Sequence, residues 1–180
     1  QVGLIRHFTA IADCECPVIL YNVPSRTGIG FTAQTYQELS KHPFINGAKE
    51  ASGNFSLLAE AMALCGDEMN FWSGNDDQIV PLMSMGGKGV ISVLSNVAPR
   101  AAHDICQFCL DGKFAEAAKM QKEYLDLINA LFCEVNPIPV KKAMELLGWK
   151  VGPVRLPLVE PTAEHTAQIQ AALNKMGCKI

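Results

Sequence analysis

No uninterrupted apolar run in this sequence approaches the ~20 residues that a membrane-spanning helix needs, so no membrane partner is expected. Clustered charge is also scarce. The net charge is −3 over 180 residues, and Lys141-Lys142 is the only basic doublet. No basic stripe interleaves with aromatic residues, so nucleic acid is not expected as a partner. No G-x-G-x-x-G follows the first apolar run, which removes the sequence signature of a dinucleotide-binding domain. No charged-then-apolar leader opens the chain. The first residue is Gln1 rather than Met, so the chain is expected to be processed, truncated or a fragment.

Metal-ligand spacing is missing too. His7, His42, His103 and His165 are isolated. Cys14-Glu15-Cys16 and Cys106-Gln107-Phe108-Cys109 are close cysteine pairs, but neither has a matching partner pair, and four ligands are the rule for a structural zinc site. The second pair also falls inside a helical pattern. Seven cysteines without a leader read as free thiols in a reducing cytoplasm, which gives the expected localisation. No metal and no cofactor are expected.

What is present is the material of a folded α/β chain. Hydrophobic residues make up 49% and charged residues 18%, a composition that buries a core. Four β-rich apolar runs recur at 17–23, 44–49, 69–73 and 88–93. They are nearly continuous rather than alternating, as in parallel strands covered on both faces. Helical patterns fall at 3–12, 32–41 and 54–65, the last with Asn54 as N-cap, and another starts near Asp76 or Asp77. This alternation predicts right-handed βα units. After residue 93 the pattern is helical: 97–111, a long stretch over 114–132, and 139–147 closed by Gly148. Pro153, Pro157 and Pro161 mark an extended linker, and Thr162 caps a last helix ending at Gly177. The expected division is a partial barrel over 1–112 and a C-terminal helical region over 113–180.

Two segments carry candidate chemistry. Phe44-Ile45-Asn46-Gly47-Ala48-Lys49 ends an apolar run in a lysine. A lysine at a strand mouth, half in a low-dielectric interior, favours the neutral amine that attacks a carbonyl carbon. The plain alternative is a strand-end lysine whose head reaches water. Pro17-Val18-Ile19-Leu20-Tyr21-Asn22 ends the same way in a tyrosine, a residue type able to pass protons. Arg26, in the loop that follows, offers a fork to a carboxylate. An anchored edge tyrosine and a surface arginine are the plain alternatives. Asp76-Asp77 reads as a helix cap rather than a metal pair. Gly86-Gly87-Lys88-Gly89 follows a helix and precedes a strand, the reverse of a phosphate loop, so it reads as a helix end and turn.

Together, Tyr21-Asn22-Val23-Pro24-Ser25-Arg26-Thr27-Gly28 and Gly47-Ala48-Lys49-Glu50-Ala51-Ser52-Gly53 resemble the dihydrodipicolinate synthase (4-hydroxy-tetrahydrodipicolinate synthase) family. These are class I, Schiff-base aldolases of the pyruvate-dependent lyase superfamily. Ser73-Gly74-Asn75-Asp76-Asp77, Gly86-Gly87-Lys88-Gly89-Val90-Ile91-Ser92 and Asn136-Pro137-Ile138-Pro139-Val140-Lys141 fit the same pattern. The resemblance implies the second half of a TIM (β/α)8 barrel, strands five to eight, plus a C-terminal helical extension. A complete barrel takes ~250 residues and eight strands. It also implies roles: Lys49 forms an imine with pyruvate and Tyr21 shuttles protons. Arg26 holds the carboxylate of aspartate 4-semialdehyde, and Gly74 and the backbone of Ile91 line the pyruvate pocket. The implied reaction belongs to diaminopimelate and lysine biosynthesis, in a homo-oligomer.

The resemblance covers only part of that family's length. In the family a threonine, a second tyrosine and a Thr-Thr-Gly loop for the pyruvate carboxylate come from the first half, and no such loop occurs here. Activity of this chain alone is therefore expected to be impaired. Two further readings stay open: a catalytically inactive half-barrel that persists or self-associates as a module, and a sister aldolase such as an N-acetylneuraminate lyase. Arg26 speaks against the last, because those enzymes generally lack an arginine at that place.

Overall fold

The computed structural model describes residues 1–177; Cys178, a predicted free thiol, lies outside the described residues. Two compact units make up the chain, Gln1–Ile91 and Ser92–Ile180.

In the first unit, helix α1 (Val2–Ala12) precedes strand β1 (Val18–Asn22). A short helix α2 (Pro24–Thr27) and α3 (Ala33–Leu39) lead to β2 (Ile45–Glu50), then α4 (Phe55–Cys65), β3 (Asn70–Ser73) and α5 (Ile79–Ser84). The strands form a parallel sheet in the order β1-β2-β3. Helix starts follow local chemistry. Thr32 Oγ1 accepts from the Thr35 N–H at 3.2 Å, and Asn54 Oδ1 from the Leu57 N–H at 3.0 Å; each satisfies a donor the helix itself leaves unpaired. The core joins Leu20, Ala48 and Phe71 from the sheet to Tyr36, Leu39, Leu58 and Cys65 from the helices. Phe8, Phe31, Tyr36 and Phe71 continue it as a chain of edge-on and tilted rings 5.0–5.5 Å apart.

Three sequence expectations change here. The fourth run, 88–93, is not a full strand. The Ser73 N–H donates to Gly89 O and the Ile91 N–H to Ser73 O, both at 2.9 Å, which makes a single parallel bridge between Ser73 and Val90. Gly89 sits at φ +148°, and this positive angle interrupts the even spacing a longer ladder needs. The strands are also not covered on both faces. Burial alternates along them: Leu20 and Asn22 are buried, while Ile19 and Tyr21 are 48% and 43% exposed. Asp76 and Asp77, expected as caps, lie inside the first turn of a 3-10 helix over Asp76–Gln78, where the N-cap position belongs to Asn75. Carboxylates in a first turn still complement the positive helix end.

The second unit is helical. A 3-10 turn (Leu94–Asn96) leads to α6 (Pro99–Leu110), α7 (Phe114–Glu123), α8 (Leu125–Ala130), α9 (Ile138–Leu146) and α10 (Ala163–Lys175). Leu94, Leu127, Ile128, Leu131, Val140, Ile169 and Leu173 form its core. The long helix expected over 114–132 is divided at Tyr124, whose φ of −88° and ψ of −1° lie at the edge of the right-handed helical region, although the Ile128 N–H still reaches Tyr124 O at 2.9 Å. Proline at the first turns of α6 and α9 costs no hydrogen bond, because those N–H groups have no partner within the helix. Thr162 caps α10 as expected, accepting from the His165 N–H at 3.2 Å.

Glu134 ties the start of α10 in place. Its Oε1 lies 2.6 Å from His165 Nδ1 and accepts from the Thr162 N–H at 3.1 Å. The His165 hydrogen bond, then the Thr162 N–H, hold the Glu134 carboxyl below its ordinary range. A carboxyl lowered on folding adds stability that is present above its unfolded value and lost as pH falls through its folded value. Protection of the α10 amides, taken relative to the intrinsic exchange rate at each pH, should therefore fall as pH drops below the ordinary value of 4.5, and Glu134→Gln should flatten that acid-side change. In the first unit, Leu20→Ala empties a fully buried position and should cost about 2–5 kcal/mol in denaturant unfolding.

Candidate active site

The parallel register sets the site. Tyr21 stands opposite Lys49 and Asn22 opposite Glu50 across β1 and β2; Lys49 stands opposite Trp72 and Glu50 opposite Ser73 across β2 and β3. The carboxyl ends of the three strands are thus level, and the bridge at Val90 extends the edge to Ile91. Successive side chains point to opposite faces of a sheet. Tyr21 and Lys49 therefore share one face, and Asn22 and Glu50 share the other.

On the first face, Lys49 Nζ lies 4.3 Å from the centroid of the Tyr21 ring. An ammonium at that distance is attracted by the ring face. The same position brings the phenol and the amine into one small volume, with Tyr21 partly exposed. Gly74 closes the site beside them. A Cβ at Gly74 would stand 2.6 Å from Ala51 Cβ, 3.1 Å from Lys49 Cε and 3.2 Å from Lys49 Cγ, so only glycine leaves the lysine stem its path. The Gly74 N–H donates to Glu50 O at 2.7 Å, which brings that glycine backbone against β2.

Tyr21, Lys49 and Gly74 are therefore brought together. Ile91, 39% exposed, holds the same edge, its N–H spent on Ser73 O. Arg26 is exposed in the last turn of α2, immediately after β1, with its N–H on Val23 O at 2.9 Å and Gly28 in the left-handed conformation behind it. Among the described residues, no group of three His, Cys, Asp or Glu side chains is placed to hold a metal ion. Burial pushes the Cys65 and Cys109 thiols above the ordinary range, so both stay protonated and poorly nucleophilic.

The second face holds residues that sequence reasoning missed. Glu50 is 5% exposed, and donors converge on its carboxylate. Asn22 Nδ2 donates to Oε2 at 2.9 Å and to Oε1 at 3.2 Å. The Tyr36 hydroxyl donates to Oε2 at 2.6 Å, and the Ser52 N–H to Oε1 at 2.7 Å. Asn22 Oδ1 in turn accepts from the Phe31 N–H at 3.2 Å. Burial, and then the neighbouring Glu50 carboxylate, push the Tyr36 phenol far above its ordinary range, so it remains a donor. One signal was available: Asn22 and Glu50 each follow a singled-out residue at a strand end. Nothing in the sequence showed that residues so far apart would meet.

A model of the dihydrodipicolinate synthetase family matches residues 1–176. The chain is 50% identical over 175 residues to a 4-hydroxy-tetrahydrodipicolinate synthase of Clostridium novyi, covering 97% of this chain and 59% of that relative. It is also 50% identical to the enzyme of that name from Caldicellulosiruptor saccharolyticus, covering 100% of this chain and 61% of the relative. Among solved structures, DHDPS from Cyanidioschyzon merolae with lysine bound superposes with a TM-score of 0.96 at 40% identity, over 99% of this chain and 61% of that one. Dihydrodipicolinate synthase from Aquifex aeolicus gives 0.96 at 36%, over 99% and 61%. The chain thus spans about three fifths of the length of these relatives. With a family match along nearly its whole length, the chain belongs to the dihydrodipicolinate synthetase family.

Proposed function

We propose that this chain carries the imine-forming edge of a lyase that condenses pyruvate with aspartate 4-semialdehyde in diaminopimelate and lysine biosynthesis. The observation that carries the reading is the Lys49 amine, 4.3 Å from the Tyr21 ring at level, parallel strand ends. Barrel enzymes build their chemistry at the carboxyl ends of strands. The chain is read as strands five to eight of the barrel, with the fourth reduced to the bridge at Val90, and as a partial barrel over 1–112 followed by the helical region 113–180. The exposed Ile19 and Tyr21 are then an inner barrel face, which the remainder of the relatives' length would cover.

In this mechanism the neutral Lys49 amine adds to the ketone carbon of pyruvate, and water leaves to give a protonated imine. The iminium withdraws electrons, so a methyl proton departs and an enamine forms. The enamine carbon attacks the aldehyde carbon of aspartate 4-semialdehyde; a carbon–carbon bond forms, and the aldehyde oxygen takes a proton to become a hydroxyl. Water, or the product's own amine, then adds to the iminium carbon, and the C–N bond to Lys49 breaks to free the product and the lysine. Tyr21 carries protons to and from these oxygens. Arg26 pairs with the aldehyde substrate's carboxylate, while Gly74 and the backbone of Ile91 border the pyruvate. The buried thiols of Cys65 and Cys109 suit a reducing cytoplasm.

A second reading keeps the fold and drops the turnover. Among the described residues β1 pairs only with β2, so its outer edge offers unpaired backbone groups, and the open face beside it favours self-association. A homo-oligomer, or an inactive module, follows from the same surface.

Pyruvate with borohydride should add a stable mass to the chain at Lys49, and Lys49→Ala should abolish it; an unlabelled Lys49 in the complete barrel would sink the Schiff-base reading. Gly74→Ala should displace the Lys49 stem and lower the rate of trapping at least about tenfold, since misplacing a reacting group by ~1 Å costs more than that. The 180-residue chain assayed alone should show little or no condensation, with its mass in solution reporting self-association; turnover typical of a complete barrel would remove the inactive-module reading.

A further inference from the structure

Glu50 has no part in the chemistry just described, yet its carboxylate is buried where an apolar side chain would be cheaper. Removing a carboxylate from water costs several kcal/mol, and replacing a buried charged group by a packed apolar one is often neutral or stabilising. Stability alone is thus a poor account of this residue. Its position gives a better one. Glu50 is the residue after Lys49, and Asn22 the residue after Tyr21, and the two face each other in register. Their hydrogen bonds lie one step beyond the Lys49–Tyr21 pair and on the opposite face. Tyr36 fixes the same carboxylate to α3, and the Ser52 N–H fixes it to the loop that follows. The Glu50 carbonyl accepts from Gly74, which borders the Lys49 stem.

We infer that Glu50 is a positioning residue, and that with Asn22 and Tyr36 it holds the ends of β1 and β2 so that the Lys49 amine stays against the Tyr21 ring. A parallel ladder alone resists slippage weakly where side chains are small, as at Gly47 and Ala48. A side-chain tie between register partners opposes slip, because a one-residue shift would unpair a buried carboxylate. Tyr36 adds a hold from the helix layer, which resists the end of β2 tilting away. Both oxygens of the carboxylate already accept hydrogen bonds, so an amide in its place loses an acceptor whichever way it turns. The role presupposes the Schiff-base reading only for its purpose, not for its geometry.

The test therefore reads Lys49 without any substrate. Competitive acetylation across a pH series measures the reactivity and titration of each lysine in the folded protein, with the barrel complete. Tyr36→Phe, which removes one hydroxyl, and Glu50→Gln should each shift the pH profile of Lys49 acetylation and change its rate, while exposed Lys119 and Lys150 stay as in the parent. Glu50→Asp, which retains the charge, should restore the profile in part. If both variants melt earlier but Lys49 reacts as in the parent at temperatures where they are folded, Glu50 is only structural and the inference falls. If Lys49 changes in the variants but pyruvate and borohydride never label the parent, positioning stands and the Schiff-base reading falls instead. Should Glu50→Gln fail to fold, the Tyr36→Phe profile alone decides.

Discussion

Side chains alternate between the faces of a strand, and the carboxyl ends of β1 and β2 depend on that alternation. Tyr21 and Lys49 share the open face; Asn22 and Glu50, one residue on, share the buried one. The register that pairs the first two necessarily pairs the second two. The Tyr21–Lys49 pair and the Asn22–Glu50 pair are therefore set by a single shift parameter, and neither can move without the other.

The support is costly by itself. A carboxylate buried on the same sheet face as Leu20 and Ala48 would be strongly unfavourable without partners. It is tolerated because side-chain and backbone donors reach both its oxygens, one of them a phenol that burial keeps protonated. Losing one member leaves the others buried and unsatisfied, so the group behaves as a unit. The second unit is built differently: aliphatic helix packing around Leu127, Leu131 and Ile169 dominates, and polar ties such as Glu134–His165 sit at helix ends.

Much of the local order was legible. Asn54 and Thr162 were identifiable as caps because capping is a contact over three residues. The strand ends at Tyr21 and Lys49 were legible because an apolar run stops there. The run at 88–93 was misread as a full strand because a positive φ at Gly89 leaves no trace in hydrophobic pattern. The break at Tyr124 is hidden in the sequence for a similar reason, since the 3–4 periodicity continues through it. The Glu50 cluster was invisible because Asn22, Tyr36 and Glu50 belong to three different elements.

The sequence by itself determined which residue types stand at the strand ends and, through them, the family to which the chain belongs. The order of residues in the short motifs at 21–28 and 47–53 suffices for that resemblance, because it needs no knowledge of which strands pair. Only the tertiary structure decided that Lys49 meets Tyr21 at 4.3 Å and that Glu50 is buried among neutral donors. Those facts depend on which strands pair, and in which register. Register is fixed by packing β1, β2 and β3 against α3 and α4 at once, a condition no single segment contains.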